Sequence, residues 1–224
     1  MIKWLCKEYE SIFEDGSGNM AVSRGNVHVY LGMNLDYRTR GQVKIKELYY
    51  IEEIITAFDK AAPGNNSTKS STSPVNLSVV DEDFNNIKQI KVAYFQNLVV
   101  KTICATRQVR PDTCTSILFL TMRVRESDED DWKKLVWMMQ YLAGMQTLPL
   151  ILSANGIGIL KWWVDAYFAF HPNIRGHSRG GIYMERGFPI AGSTKQNLNS
   201  LSSTETEIAG VDDFILAISW TKFP

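Results

Sequence analysis

The sequence has few cysteines and no surplus of charge of either sign. Three cysteines stand among 224 residues, and 24 basic side chains are balanced by 24 acidic ones. Cys6, Cys104 and Cys114 lack metal-ligand spacing, so the pattern argues against a zinc module or a disulfide framework. It reads as free thiols in a reducing compartment. The zero net charge disfavours a freestanding, tight nucleic-acid binder, which would carry a basic excess, but leaves room for a local basic groove. A secretory signal pattern and a membrane-length apolar run are both missing. The expectation is therefore an intracellular protein with no membrane partner; cytoplasm and nucleus are not distinguishable. What remains is an ordinary globular composition, 45% hydrophobic and 21% charged, long enough for one or two domains.

The stretch Lys161-Trp162-Trp163-Val164-Asp165-Ala166-Tyr167-Phe168-Ala169-Phe170-His171 draws attention first. Short aromatic and Val-rich runs read as buried strands. A carboxylate within one must be neutralised, hydrogen-bonded or bound to a cation. Asp165 is thus a candidate metal ligand, the alternative being a hydrogen bond to neighbouring backbone.

Along the chain, an amphipathic patch at Ile2-Lys3-Trp4-Leu5 reads as a helix followed by a tight turn at Glu14 to Asn19. Val27, Val29, Leu31, Met33, Leu35 and Tyr37 then alternate with polar or small partners, the period of one long strand. Arg40-Gly41 turns the chain into a second strand, Gln42 to Lys46, giving a hairpin with one apolar face. From Glu47 to Lys60 the spacing becomes helical, with Leu48, Ile51, Ile54, Ile55 and Phe58 in one stripe. Residues 64–76 are polar and read as a flexible linker. A helix follows through Tyr94 and Cys104. Asp112 is placed to cap another over Thr113 to Arg123, and a third over Asp131 to Leu142 starts at the acidic run Ser127 to Asp130. Leu135, Met138, Met139 and Leu142 face inward in this reading, and the acids are solvated caps.

The last 70 residues or so read as strand, strand, strand, helix: an antiparallel pattern around Asp165, Gly180 to Met184 and Phe188 to Ser193, then a helix capped at Ser202. Its predicted packing stripe is Ile208, Val211, Ile215 and Ile218, with Glu207 at the stripe's edge, pointing back toward Asp165. Two carboxylates on rigid elements suit magnesium, which takes few protein ligands, and paired magnesium ions activate water against phosphodiesters. A merely solvated Glu207 is the alternative. His171 and His177, with Arg175 and Arg179, read as a plain surface loop, with contact to a nucleic-acid backbone as the other reading.

Trp162-Trp163-Val164-Asp165-Ala166, Gly192-Ser193-Thr194-Lys195-Gln196-Asn197 and Ser202-Ser203-Thr204-Glu205-Thr206-Glu207 resemble the ribonuclease H region of Ty1/copia-type retrotransposon Pol polyproteins. That family shows an Asp-Ala strand, a Lys-Gln segment and a Ser-Ser-Thr-Glu-Ala-Glu helix start. Upstream, Tyr30-Leu31-Gly32-Met33, Arg110-Pro111-Asp112 and Tyr141-Leu142-Ala143-Gly144 are similar to its Phe-Leu-Gly, Arg-Pro-Asp and Tyr-Leu-Lys-Gly signatures, in order across essentially the whole chain. The resemblance implies an α+β protein: a β-hairpin and helical thumb/connection region, then an incomplete ribonuclease H-like antiparallel sheet with one helix. Residues 1–60 would be a palm edge and first thumb helix, 61–78 a linker, 79–150 thumb and connection, and 151–224 the N-terminal half of the ribonuclease H-like domain. Asp165 and Glu207 would be the catalytic, magnesium-binding acids, with Glu205 the nearby alternative to Glu207.

The resemblance also implies parent activities: RNA-directed DNA synthesis and Mg2+-dependent cleavage of RNA in RNA–DNA hybrids. Partners would be a hybrid or primer–template duplex and other Pol segments. This chain departs from the family in lacking the Tyr-x-Asp-Asp polymerase hairpin. Gly210-Val211-Asp212-Asp213 falls inside a predicted helix, where the pair reads as helix surface. The family's third and fourth ribonuclease H acids are also missing here. The expectation is a truncated or degenerate segment, inactive alone; the alternatives are a non-enzymatic nucleic-acid or protein-binding remnant and a decayed product without a stable fold.

Overall fold

A computed structural model describes residues 4, 6–8, 22–63, 89–153, 160–171 and 173–222. The turn expected at 14–19 and the linker expected at 64–76 lie outside these residues, and so does most of the expected first helix. The described chain is mixed α/β with two antiparallel sheets. The first sheet has the order β1 (Val27–Tyr30), β2 (Met33–Asp36), β3 (Gln42–Lys46), β4 (Leu150–Ser153). The second is β5 (Lys161–Tyr167), β6 (His177–Tyr183), β7 (Ile190–Lys195). Between them in sequence come the helices α1 (Leu48–Ala61), α2 (Gln89–Gln108), α3 (Cys114–Met122) and α4 (Glu129–Gly144); α5 (Ser203–Lys222) ends the described chain.

The alternation from Val27 to Tyr37 is real, but it does not run as one strand. Leu31 and Gly32 both take positive φ, 49° and 81°, and fold the run into the β1–β2 hairpin, with Tyr30 opposite Met33. A two-residue turn with both centres left-handed matches the twist of the flanking strands. Period alone cannot reveal such a fold-back, because alternation continues across a two-residue turn. The turn at Arg40-Gly41 and strand β3 stand where expected, with Gly41 at φ 74°. Strand β4 pairs with β3, so after the helices the chain returns to complete the first sheet.

The helices supply the core. Ile51, Ile54, Ile55 and Phe58 of α1, Phe95, Leu98 and Val99 of α2, and Leu135, Met138, Met139 and Leu142 of α4 form one buried cluster with Ile117, Phe119 and Leu120 of α3. Helix α4 begins in a capping box in which Asp128 accepts from the Asp131 amide at 2.8 Å and Asp131 accepts from the Asp128 amide at 3.1 Å. Two of its acids are not solvated caps. Asp128 and Asp131 are buried, and both pair with Arg123, at 2.9 Å and 3.0 Å. Burial pushes the Asp131 carboxyl up, while the Asp128 amide and Arg123 pull it back down.

Asp112 does not cap the following helix, and no side-chain cap forms there. Its carboxylate instead accepts from the Arg110 guanidinium at 2.8 Å and the Tyr141 hydroxyl at 2.8 Å. Arg110 is 2% exposed and also donates to the Met145 carbonyl at 3.0 Å. The Arg-Pro-Asp turn and the Tyr-Leu-Ala-Gly helix end, 29 residues apart in sequence, are thus tied by one half-buried polar node.

Candidate functional site

The second sheet and α5 carry every residue singled out for metal chemistry. Strand β5 alternates half-buried and exposed, and the identity of its neighbours fixes which face is which. A Cβ placed on Gly210 of α5 would stand 3.1 Å from Ala166 Cβ and 3.5 Å from Val164 Cγ1. The Trp162 indole donates to Thr221 Oγ1 at 2.9 Å. Trp162, Val164 and Ala166 therefore face α5. Because successive strand residues point to opposite faces, Trp163, Asp165 and Tyr167 point away from it.

Helix α5 docks on the sheet through Thr206, Gly210, Asp213 and Phe214. Phe214 fills the space over Gly180 and Gly192, where any side chain would meet its ring at 2.9 Å. These glycines are directly opposite each other in β6 and β7, so the helix approaches as closely as the sheet allows. Asp213 accepts from the Ser178 hydroxyl at 2.6 Å. Gln196 is 1% exposed and donates both to Ser178 Oγ at 2.9 Å and to the Thr206 carbonyl at 2.8 Å, locking the end of β7 to the helix start.

This docking overturns the expected site. Glu207 is exposed, one residue round the helix from buried Thr206, and Asp165 is on the far face of the sheet. The two carboxylates have the sheet between them and do not share a site. Glu205 is already spent on the helix start, accepting from the Leu201 amide at 2.5 Å while its own amide donates to Ser202 Oγ at 3.2 Å. Among the described residues, no group of three or more His, Cys, Asp or Glu is placed to hold a metal ion. Asp213 belongs to the sheet contact rather than to a bare helix surface.

The physical reason is a choice between two stripes. Ile208, Val211, Ile215 and Ile218 read as the packing stripe, yet the first three are 66%, 47% and 43% exposed and Ile218 is only half-buried. A floor of glycine, serine and small side chains accepts the flatter side of α5, where Gly210 lets the backbones approach, and excludes the bulky side.

The histidines are also not where a surface loop would leave them. His171 and His177 are 6% and 1% exposed. His171 Nε2 and His177 Nδ1 are 3.0 Å apart, and His177 Nε2 lies 2.5 Å from Ser193 Oγ, a continuous hydrogen-bonded chain. His171 stacks on Phe119 of α3, with ring centroids 6.0 Å apart, and Phe170 meets both imidazoles edge-on or tilted at 5.2 Å. Burial lowers both histidines from the usual value to about 4. For His171 the facing His177 and Lys195 add to the effect. The pair is neutral at pH 7 and pins the second sheet to the helical bundle.

On the same face as Asp165, a cavity of about 440 Å³ opens between the sheet and the Pro111–Asp112 turn, walled by Trp163, Phe188 and Leu150. Sequence periodicity could not show it. The one available signal was the adjacent pair Gly180-Gly181 in mid-strand, since interior strand glycines mark close approach on one side or the other. Gly180 serves Phe214 and Gly181 serves the cavity.

Three free cysteines are present among the described residues, and no helix there is long and apolar enough to cross a membrane. Compared with known proteins, the chain matches no protein-family model, no curated protein and no solved structure.

Proposed function

We propose that the chain is a segment of a Ty1/copia-type Pol polyprotein, running from the end of the reverse transcriptase into the first part of a ribonuclease H-like domain. On this reading it is not a hybrid-cleaving enzyme by itself. The observation that supports the reading is the order of the second unit: three antiparallel strands, then one helix laid across a sheet face, with Asp165-Ala166 on β5, Lys195-Gln196 at the end of β7 and Ser202-Ser203-Thr204-Glu205 at the start of α5. The contact of Asp112 with Tyr141 supports it further, since two motifs that resemble signatures of that family meet in space.

Magnesium is the cofactor of the parent activity, and the fit of this chain's residues to it is poor. Hard divalent ions need oxygen donors converging within a few ångströms, and Asp165 and Glu207 diverge across a sheet. No chemical step is assigned to them in this arrangement. The test is reconstitution. The purified chain with Mg2+ and an RNA–DNA hybrid should cleave no faster than its Asp165→Asn variant. Fused after Lys222 to the remaining half of an authentic Ty1/copia ribonuclease H domain, it should complete the sheet and melt as one cooperative unit. Cleavage by the unfused chain that Asp165→Asn removes would overturn the inactivity. A fusion whose two halves melt separately would overturn the kinship.

A second reading, a non-enzymatic binding remnant, draws on the outward side of α5. Besides its three stripe residues, Leu216 and Trp220 are 83% and 75% exposed, more apolar surface than a lone helix normally shows to water. Association with another Pol segment would cover it. Co-migration of the chain with such a segment on gel filtration, lost in Trp220→Ser, would favour this reading.

A further inference from the structure

We propose that the cavity on the Asp165 face is a binding site for a guanine base, a role that does not depend on kinship to any nuclease. The argument begins with its walls. Trp163 is 60% exposed, an indole held on a strand and lining the cavity. Phe188 lies over Gly181, where a Cβ would come within 2.9 Å of the Phe188 ring. Gly181 pairs directly with Trp163 across β5 and β6. Trp163 and Phe188 thus line the same cavity on one face of the sheet, with Phe188 covering the Gly181 backbone. Planar rings stack on such aromatic walls whatever their sequence context, because every base has a π-face. At about 440 Å³ the cavity falls in the range of small-molecule sites.

The polar groups of the cavity choose among planar rings. Asp165 and Arg179 are the next directly opposed pair along the same two strands, on the same face as Trp163. Both line the cavity. Among the described residues no ion pair or hydrogen bond engages either side chain, whereas the cavity's other carboxylate, Asp112, is already held by Arg110 and Tyr141. A carboxylate and a guanidinium side by side, about 5 Å apart at the backbone, present acceptors next to donors. The pairing edge of guanine offers the complement: its O6 accepts, and its N1–H and exocyclic amine donate. Arg179 takes O6, and the Asp165 carboxylate takes both N–H groups. Adenine turned over in the cavity gives that carboxylate one donor in place of two, and uracil gives it one as well. Cytosine also offers it one.

The test is calorimetric titration of the described full chain with GMP, AMP, CMP and UMP at fixed ionic strength. Saturable 1:1 binding of GMP, at least tenfold tighter than of the other three, is expected. Trp163→Ala should weaken GMP at least tenfold. Asp165→Asn should bring GMP down to the level of AMP. Both side chains are exposed, so the variants should melt with the parent protein, and coincident melting curves are the control for folding. Absence of saturable GMP binding overturns the proposal. So does equal binding of all four nucleotides, which would mean phosphate held by loose cations, and so does GMP binding unchanged by either substitution.

Discussion

The helical bundle and the second sheet with α5 are built on opposite terms. In the bundle, every helix presents its apolar stripe to a common interior, and the stripes interlock into one buried cluster running from Ile51 to Leu142. In the second unit the sheet offers glycine and serine to the helix, α5 turns its bulky apolar stripe to solvent, and Ile182 is the buried hydrophobic residue of its strands. Hydrogen bonds do there much of what dispersion does in the bundle: Gln196, Ser178 and Asp213 hold α5, and the His171–His177–Ser193 chain ties the sheet together, while His171 meets α3 by stacking on Phe119. One half is held by volume and the other by polar geometry. The first should respond to cavities and the second to pH and to loss of single polar partners.

The largest contrast lies in core truncation. Leu135 is fully buried at the centre of the bundle. Leu135→Ala removes its contacts and leaves a void, so it should cost about 2–5 kcal/mol in denaturant unfolding. A loss under about 1 kcal/mol would mean that the bundle is far looser than its packing implies.

Acid comes next. Both buried histidines have a folded value of about 4 against an ordinary value of 6.5. Between those values the unfolded chain binds more protons than the folded one, so stability is full above about pH 6.5 and falls as the pH drops toward 4. At pH 5 the loss should be roughly 2 kcal/mol for one histidine alone, and less than twice that for the pair, since His177 already disfavours charge on His171. Thermal melts between pH 7 and 4.5 read this directly. His177→Gln should flatten the profile; an unchanged profile would show that the imidazoles are already accessible to water. A smaller effect follows from the node that ties α4 to the Pro111 turn. Tyr141→Phe deletes a 2.8 Å hydrogen bond to the Asp112 carboxylate and should cost about 1.5 kcal/mol, visible as a shift of the denaturation midpoint.

The same contrast explains what could be read in advance. The bundle was legible because its code is periodic: Ile51, Ile54, Ile55 and Phe58 repeat at helical spacing, and a repeat survives without knowledge of the partner. The order of the second unit was legible too, from glycines and turns between short apolar runs. Its site was not. Asp165 was correctly placed on a strand, but which face a strand residue takes depends on where the helix docks, and docking was decided by Gly180, Gly192 and Gly210 rather than by the stripe. Glycines leave no hydrophobic signal. His171 and His177 were misread for a related reason: they are six residues apart and meet only because the chain bends back at residues 173–176, with Ile174 at φ 62°. Neither the hydrogen bond nor the stacking on Phe119, more than fifty residues away, has a local trace.

The sharpest use of the contrast is the mutation expected to do least. If Ile208 and Ile215 were packed as their spacing suggests, truncating either would open a cavity and cost about 2–5 kcal/mol. In the docked helix both point to water, so Ile208→Ser and Ile215→Ser should each stay within about 0.5 kcal/mol of the parent protein, while Phe214→Ala, on the sheet side, should destabilise measurably. Because serine lowers helix propensity only slightly, a large loss at either isoleucine could not come from the helix itself. It would mean that α5 rolls by about a third of a turn in solution. That roll is the rotation that would swing Ile208 onto the sheet and carry Glu207 with it, and the same two measurements therefore decide both how the helix packs and whether its glutamate faces the sheet.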